Sequence, residues 1–180
     1  MRLKITISGV PGSGKSTVSR ELAKRLKLKL YSVGDFSRKL AMKKKLSMSE
    51  FGALAEKDPA IDKELDSMTK KLAKKDNFVI VGRTAYYFLP KSFKIFLSVD
   101  LKVAAKRIFQ DMRPSVKENS SLANTLKGIK ERIKNEKKRY KQYYNTDPYE
   151  LNNYDLVIDT THMPAVKVAD AIIAFVKCGC

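Results

Sequence analysis

Length, composition and charge limit the class of this protein. The chain has 180 residues, of which 43% are hydrophobic and 31% charged, a composition typical of one globular domain. No apolar run approaches the roughly 20 residues that span a bilayer and no signal-peptide pattern precedes the first strand, so we expect no membrane association and a cytoplasmic location. Thirty-seven basic and 19 acidic residues give a net charge of +18, which attracts nucleotides, nucleic acids or anionic surfaces without choosing among them.

Short β-rich runs alternate with longer helical stretches along the chain. This pattern builds a parallel sheet that is covered by helices on both faces. The candidate strands are Lys4–Ser8, Lys29–Tyr31, Phe78–Val81, Phe93–Val99 and Leu156–Asp159. We therefore predict an α/β three-layer fold with a five-stranded parallel sheet, formed by residues 1–180 as a single domain.

Two helical insertions interrupt this alternation. About forty residues between the second and third strands have helical spacing, punctuated by Gly34, Gly52 and the Asp58-Pro59 step, where Asp58 can cap a helix that begins at Pro59. The stretch from residue 101 to residue 144 is also predicted to be helical, since it carries an apolar stripe formed by Leu122, Leu126, Ile129, Ile133 and Tyr140. We expect both insertions to move against the sheet.

Residues 9 to 16 match the phosphate-loop pattern GxxxxGK[ST], between a predicted strand and a predicted helix. Gly12 and Gly14 allow successive backbone N–H groups to face a phosphate, and the following helix adds the positive end of its dipole. Lys15 would reach the β- and γ-oxygens of ATP, Ser16 would ligate Mg²⁺ and Thr17 would contact the α-phosphate. The alternative is a glycine-rich turn without a ligand. The predicted ATP-binding loop comprises Gly9, Val10, Pro11, Gly12, Ser13, Gly14, Lys15, Ser16 and Thr17.

Arginines at two predicted element boundaries suggest a second phosphate site. Arg38 lies one turn after Gly34, and Arg83 follows a buried strand at the carboxyl edge, where open α/β sheets bind ligands. Arginine binds phosphate oxygens bidentately and stays charged, although each residue could instead form a surface salt bridge. Asp35 could cap the helix that carries Arg38 or orient a water of the Mg²⁺ shell.

A third basic segment lies further along the chain. Residues 127–141 contain eight basic and two acidic residues, and Arg132, Glu136 and Arg139 fall on one helical face. Arginines on such a helix could meet the charge of a transferred phosphoryl group, whereas a solvated Lys-rich helix would have the same composition.

The motifs together resemble nucleoside monophosphate kinases of the P-loop class, and most closely the archaeal cytidylate kinases. The resemblance covers nearly the whole chain and rests on ITISGVPGSGKSTV, YSVGDFSRKLA, SMSEFGALAEKDPAIDKELD, VIVGRTAYYFLP, KNEKKRYKQYY and YDLVIDTT. It implies a helical arm at 35–75 that binds the acceptor nucleotide, with Arg38 and Arg83 on the acceptor phosphate. It also implies a lid at 107–145, from which Arg107, Arg132 and Arg139 close over the ATP phosphates.

Three positions depart from related sequences. Val81 stands where relatives usually carry an acidic residue before the Gly-Arg pair, which removes one carboxylate that could organise Mg²⁺. Val33 and Thr84 stand where bacterial cytidylate kinases carry Ser and Asp, so recognition of the base or sugar must differ from theirs in detail.

The expected reaction is ATP + CMP = ADP + CDP, with dCMP as a further acceptor, nucleotides as the partners and a monomeric enzyme. Asp62 or Asp66 would accept a hydrogen bond from the cytosine 4-amino group, whereas an exposed helical carboxylate is the alternative interpretation. Three other functions fit parts of the pattern: an adenylate kinase, an RNA- or ribosome-associated ATPase that uses the +18 charge, and a kinase of the shikimate type. No RNA-recognition signature is visible, and a hydroxyl acceptor would benefit from an Asp base beside the loop.

Overall fold

The computed structural model describes residues 3–111 and 121–179, and in this part of the chain five parallel strands form one sheet in the order β2-β3-β1-β4-β5. The strands are β1 (Lys4–Gly9), β2 (Lys29–Ser32), β3 (Phe78–Val81), β4 (Phe93–Ser98) and β5 (Leu156–Asp159). Each predicted strand is confirmed to within one residue at either end. The central register pairs Ile5 with Val79 on one side and with Phe93 on the other.

Eight α-helices are described around this sheet. They are α1 (Lys15–Arg25), α2 (Val33–Lys43), α3 (Met48–Lys57), α4 (Pro59–Lys71), α5 (Ala85–Phe88), α6 (Leu101–Gln110), α7 (Leu122–Tyr144) and α8 (Ala165–Cys178). None of the helices in the described ranges is long and apolar enough to cross a membrane.

Helices cover both faces of the sheet, as predicted. On one face, Val18 and Leu22 of α1 and Ile172 of α8 pack against the fully buried Ile5 and Leu97. On the other face, Phe78 and Ile80 of β3, Ala85 of α5 and Leu89, which follows α5, belong to a second buried cluster. Because alternate residues of a strand point to opposite faces, a near-continuous apolar run such as 78–81 fills both layers.

Helices α2, α3 and α4 are joined by a small core of their own, in which Leu40, Phe51, Ile61 and Leu65 are buried. Asp58 accepts a hydrogen bond from the Ala60 N–H and Pro59 begins α4, as predicted. Two details of the prediction were wrong. Gly52 lies inside α3 and does not interrupt it, and α2 begins at Val33, ahead of Gly34.

The long helix α7 packs against α6 through the predicted stripe. Ile129 is buried, and Leu126 and Ile133 are half-buried against Ala104 and Ala105 of α6. The first residue of the stripe does not follow the prediction, because Leu122 is 46% exposed. Residues 112–120 of the predicted helical stretch lie outside the described residues.

Candidate active site

The phosphate loop depends on glycine at two positions where a side chain cannot fit. Gly12 has a φ of +78°, and a Cβ there would lie 2.8 Å from the backbone oxygen of Ala104. Gly9 has a φ of +144°, and a Cβ there would lie 2.2 Å from the backbone oxygen of Leu97. The loop therefore packs closely between β4 and α6, and these contacts constrain its backbone conformation.

The amino end of α1 is open to an anion. Gly14, in the left-handed conformation, is the N-cap and offers no side-chain cap, and the first turn carries no acidic residue. The first N–H groups of a helix have no partner within it, and the helix dipole favours negative charge there. Ser16 and Thr17 are exposed at this end, so their hydroxyl groups are accessible to a phosphate or its metal ion.

Lys15 folds back over the loop. Its Nζ donates hydrogen bonds to the carbonyl oxygens of Gly9 at 2.9 Å and Val10 at 2.6 Å. Desolvation of the ammonium group, together with the positive charges of Arg83 and Arg132, lowers the pKa of Lys15 well below its usual value. The phosphate loop, the end of β3 and α7 thus contribute cations to one small region.

Glu136 joins two of the predicted phosphate-binding arginines. Its Oε2 accepts from Arg83 Nε at 2.7 Å and its Oε1 from Arg132 Nε at 2.9 Å, while the Tyr149 hydroxyl also donates to it. Burial opposes the charge of Glu136, but Arg83 and Arg132 outweigh this effect and lower the pKa of the carboxyl group. Burial likewise opposes the charge of Arg83, yet the neighbouring carboxylate raises its pKa. Both shifts favour the ionised forms of Glu136 and Arg83.

Arg139 lies within the last two turns of α7 and approaches α4. Its Nε lies 3.5 Å from Asp62 Oδ2, and both atoms are buried without a hydrogen-bond partner. Burial raises the pKa of Asp62, although the charge of Arg139 opposes the effect. Asp66, one turn further along α4, is buried and accepts from the Tyr144 hydroxyl. The interpretation of Asp62 and Asp66 as exposed helical carboxylates is therefore wrong.

Arg38 and Asp35 pair with each other in the first turns of α2. Both side chains are exposed, at 48% and 58%. Asp35 is not the helix cap, because the Ser32 hydroxyl accepts from the Asp35 N–H and is the cap. The proposed capping role was wrong because the helix begins one residue before the glycine.

Arg107 lies in the last turn of α6 and not on α7. Its guanidinium group donates to the carbonyl oxygens of Thr160 at 2.8 Å and Thr161 at 3.1 Å. The Thr160 hydroxyl lies 3.2 Å from the carbonyl oxygen of Ser13 in the phosphate loop. Arg107 thus borders the loop beside β5 and belongs to α6, whereas Arg132 and Arg139 belong to α7.

Mg²⁺ fits this region only as a partner of phosphate oxygens. In residues 3–111 and 121–179 no group of three or more His, Cys, Asp or Glu side chains could hold a metal ion. The residue that ends β3 is Val81, which offers no metal ligand from its side chain. A small octahedral ion that keeps several waters needs only phosphate oxygens and one hydroxyl group, and the exposed Ser16 hydroxyl would be accessible to it.

The sequence did not indicate that Glu136 would be buried or that Tyr149 would contact it. Both belong to a contact between α7 and the segment before β5, and a 13-residue separation gives no helical or strand spacing to recognise. The only available signal was the single acidic residue at the centre of the Arg132 to Arg139 face.

Comparison with known proteins identifies the family of the chain. A family model described as the cytidylate kinase-like family matches residues 4–162. A cytidylate kinase of Methanothrix thermoacetophila is 41% identical over 156 residues, which cover 87% of each chain. A cytidylate kinase of Archaeoglobus fulgidus is 36% identical over 97% of this chain and 95% of that relative.

Among solved structures, a shikimate kinase from Bacteroides thetaiotaomicron aligns with a TM-score of 0.70 over 98% of this chain and 99% of that chain, at 13% identity, a likeness of fold alone. The sequence relatives and the family model carry more weight than this structural likeness. The chain belongs to the cytidylate kinase-like family.

Proposed function

We propose that the protein transfers the γ-phosphate of ATP to a nucleoside monophosphate, with CMP as the preferred acceptor and dCMP as a further one. The observation that carries this proposal is the convergence of Lys15, Arg83 and Arg132 from three separate elements. A single ATP phosphate tail is served by the loop and its lysine. Two further arginines brought to the same place supply the fixed cations that a second phosphate requires.

In the proposed reaction an oxygen of the acceptor phosphate attacks the γ-phosphorus of ATP. A new P–O bond forms, the bond between the γ-phosphorus and the β-bridging oxygen breaks, and ADP leaves with the electron pair. The acceptor phosphate is largely a dianion near neutral pH, since its second pKa is about 6, so no strong general base is needed. Mg²⁺, when bound, would neutralise charge on the β- and γ-oxygens.

We assign the following roles to the side chains of the site. The loop amides and Thr17 would hold the donor tail, Lys15 would leave its carbonyl partners for the more negative phosphate oxygens, and Ser16 would ligate the metal. Arg132 and Arg139 would meet the charge on the transferred group. Arg107 would border the donor nucleotide beside the loop.

The acceptor would be held from the opposite side. Arg83 and Arg38 would bind its phosphate, one from the end of β3 and one from α2. Asp35 already orients the Arg38 guanidinium by pairing with it. The arm at 35–75 and the lid at 107–145 would then close on the acceptor and donor together, which excludes water from the reacting phosphates.

Asp62 is the proposed contact to the cytosine base. Its Oδ2 is buried and paired with Arg139 at 3.5 Å but accepts no hydrogen bond, so a ligand donor that reached it would supply the missing hydrogen bond. The cytosine 4-amino group is such a donor, whereas the 4-carbonyl of uracil would face the carboxylate as a second acceptor. Asp66 is engaged by Tyr144 and is the weaker choice.

The experiment is an acceptor panel of CMP, dCMP, UMP, AMP and shikimate with ATP and Mg²⁺, measured as ADP formed and as phosphorylated product. CMP should give the highest kcat/KM. Asp62→Asn should lower the CMP to UMP ratio of kcat/KM by about 5- to 150-fold, because a matched polar contact discriminates by about 1–3 kcal/mol. Asp66→Asn is the control. A ratio unchanged in both variants removes the base assignment, and AMP as the best acceptor removes CMP.

A further inference from the structure

A buried carboxylate lies in the middle of the cation cluster, and neither the loop nor the acceptor arm explains why it is there. Glu136 has a side chain only 10% exposed on α7. Phosphate sites need positive charge, and an acidic residue between two arginines opposes the binding of anions. Its presence there therefore calls for another explanation.

The contacts of Glu136 indicate that task. It meets Arg83 and Arg132 through the Nε of each guanidinium group, at 2.7 Å and 2.9 Å. A guanidinium group has a second edge, formed by its two terminal amino groups, that can hold another acceptor at the same time. A carboxylate fixed at both Nε atoms therefore sets the direction in which these two edges point.

Both oxygens of Glu136 are in use. Oε1 accepts from Arg132, and Oε2 accepts from Arg83 and from the Tyr149 hydroxyl. Arg83 follows β3 and Arg132 belongs to α7, so the carboxylate joins the rigid sheet to the helix that would close over ATP. Arg132 is 59% exposed, and without this anchor its long side chain would be free to rotate.

Glu136 also moderates repulsion inside the cluster. Burial, Arg83 and Arg132 lower the pKa of Lys15, whereas Glu136 acts in the opposite direction and favours its protonated form. Three neighbouring cations with one carboxylate carry a formal charge of +2, which stays attractive to phosphate while the cations remain close together.

We propose that Glu136 is a positioning residue for phosphoryl transfer: it bridges Arg83 and Arg132 through their Nε atoms and aims both guanidinium groups at the phosphates. This inference rests on the proposed function, because it takes the two arginines to contact nucleotide phosphates. The competing interpretation is that Glu136 only occupies the arginines until a nucleotide displaces it.

The two interpretations predict opposite changes in the affinity for CMP when Glu136 is replaced by Gln. This nearly isosteric change raises the local charge, so removal of a mere place-holder would tighten the binding of CMP. Loss of a positioning residue would weaken it, and we expect kcat/KM for CMP to fall by about 10- to 100-fold, since a group misplaced by about 1 Å can cost 100-fold. KM for ATP, which the loop amides dominate, should change far less. Glu131→Gln, the same charge change on an exposed turn of α7, is the control and should leave both parameters near their original values.

Glu136→Asp separates positioning from simple charge. It keeps the carboxylate but is one methylene shorter, so it should recover part of the activity lost in Glu136→Gln. The midpoint of thermal unfolding, Tm, is measured for each variant, and kinetics are recorded well below it. A variant that merely loosens α7 would raise KM for both substrates alike, and that result overturns the proposal. If Glu136→Gln does not fold, Glu136→Asp serves as the test: a larger rise in KM for CMP than in KM for ATP supports the positioning role, and an equal rise in both overturns it.

The wild-type protein is assayed with the acceptor panel in parallel. If the wild type phosphorylates no nucleotide, the proposed function fails. If the wild type is active but Glu136→Gln has unchanged or tighter CMP binding with unchanged kcat, only the positioning role fails.

Discussion

Replacement of Arg83 by Met tests the buried ion pair that links β3 to α7. The substitution keeps a long side chain and removes the cation nearest to Glu136, whose partner atoms lie 2.7 Å apart in an environment with little solvent. Breaking a buried pair by removing one partner costs about 3–5 kcal/mol, and we expect the lower end because Arg132 and Tyr149 still contact the carboxylate. For a chain of this size, a loss of about 3 kcal/mol corresponds to a decrease in Tm of about 6–12 °C.

The effect should depend on pH with a definite sign. The folded-state pKa of Glu136 is lowered, so its contribution to stability is fully present above the unfolded pKa of about 4.3 and is lost as the pH falls through the folded pKa. In Arg83→Met one of the two cations that offset the desolvation of Glu136 is missing, so the folded-state pKa of Glu136 is higher than in the wild type. Protonation of Glu136 therefore removes the cost of its buried charge at a higher pH. The difference in Tm between wild type and variant should therefore be larger at pH 8 than at pH 4.5.

Differential scanning calorimetry at the two pH values measures this difference. The double variant Arg83→Met/Glu136→Gln should be more stable at pH 8 than Arg83→Met alone, because it no longer buries an underpaired charge. Arg25→Met, which breaks the more exposed pair with Asp170, is the control and should cost at most about 1 kcal/mol at either pH. An equal Tm difference at both pH values, with no recovery in the double variant, would refute the reasoning.

Three further outcomes are expected. Lys15→Met should reduce kcat by about 100- to 1,000-fold with little change in Tm, since the lysine serves charge stabilisation during transfer; near-normal turnover would contradict this. Arg38→Ala should raise KM for CMP several-fold more than KM for ATP, with Arg25→Ala as the control, and steady-state kinetics that show equal effects would remove Arg38 from the acceptor site. Gly12→Ala should lower both Tm and ATP affinity, because its Cβ would lie 2.8 Å from the Ala104 backbone oxygen; calorimetry and nucleotide titration check both, and unchanged values would show that the loop is not constrained as described.

Local chemistry made the sheet and the loop predictable. Apolar runs such as 78–81 indicate the strands of a buried parallel sheet. Gly12 and Gly14 lie where the backbone of the loop has a positive φ. The Asp58-Pro59 step also marked its helix correctly, because a cap and a proline act within one turn. These features depend on residues close together in the sequence.

Contacts between distant segments were not predictable in the same way. The bridge between residues 83 and 136, and the approach of Arg139 to Asp62, arise only when α7 lies across the sheet edge and the arm. A buried and an exposed carboxylate look alike in the sequence. This explains why Asp62 and Asp66 were given an exposed alternative.

Boundaries within a helical segment were the other weak point. Ser32 and Asp35 are both good caps in principle, and the choice between them depends on where β2 ends. Arg107 was placed by resemblance in the lid, but 112–120 separate its helix from α7 and lie outside the described residues. Its contacts with Thr160 and Thr161 come from the return of the chain through β5.

The most direct test of the account is a product analysis of purified protein incubated with ATP, Mg²⁺ and CMP, with ADP and CDP separated and quantified over time. The account predicts equal amounts of ADP and CDP, and almost no ADP when CMP is omitted. ADP released without CDP, at the same rate with or without the acceptor, would show that the assembled arginines do not hold a second nucleotide phosphate and would contradict the central claim.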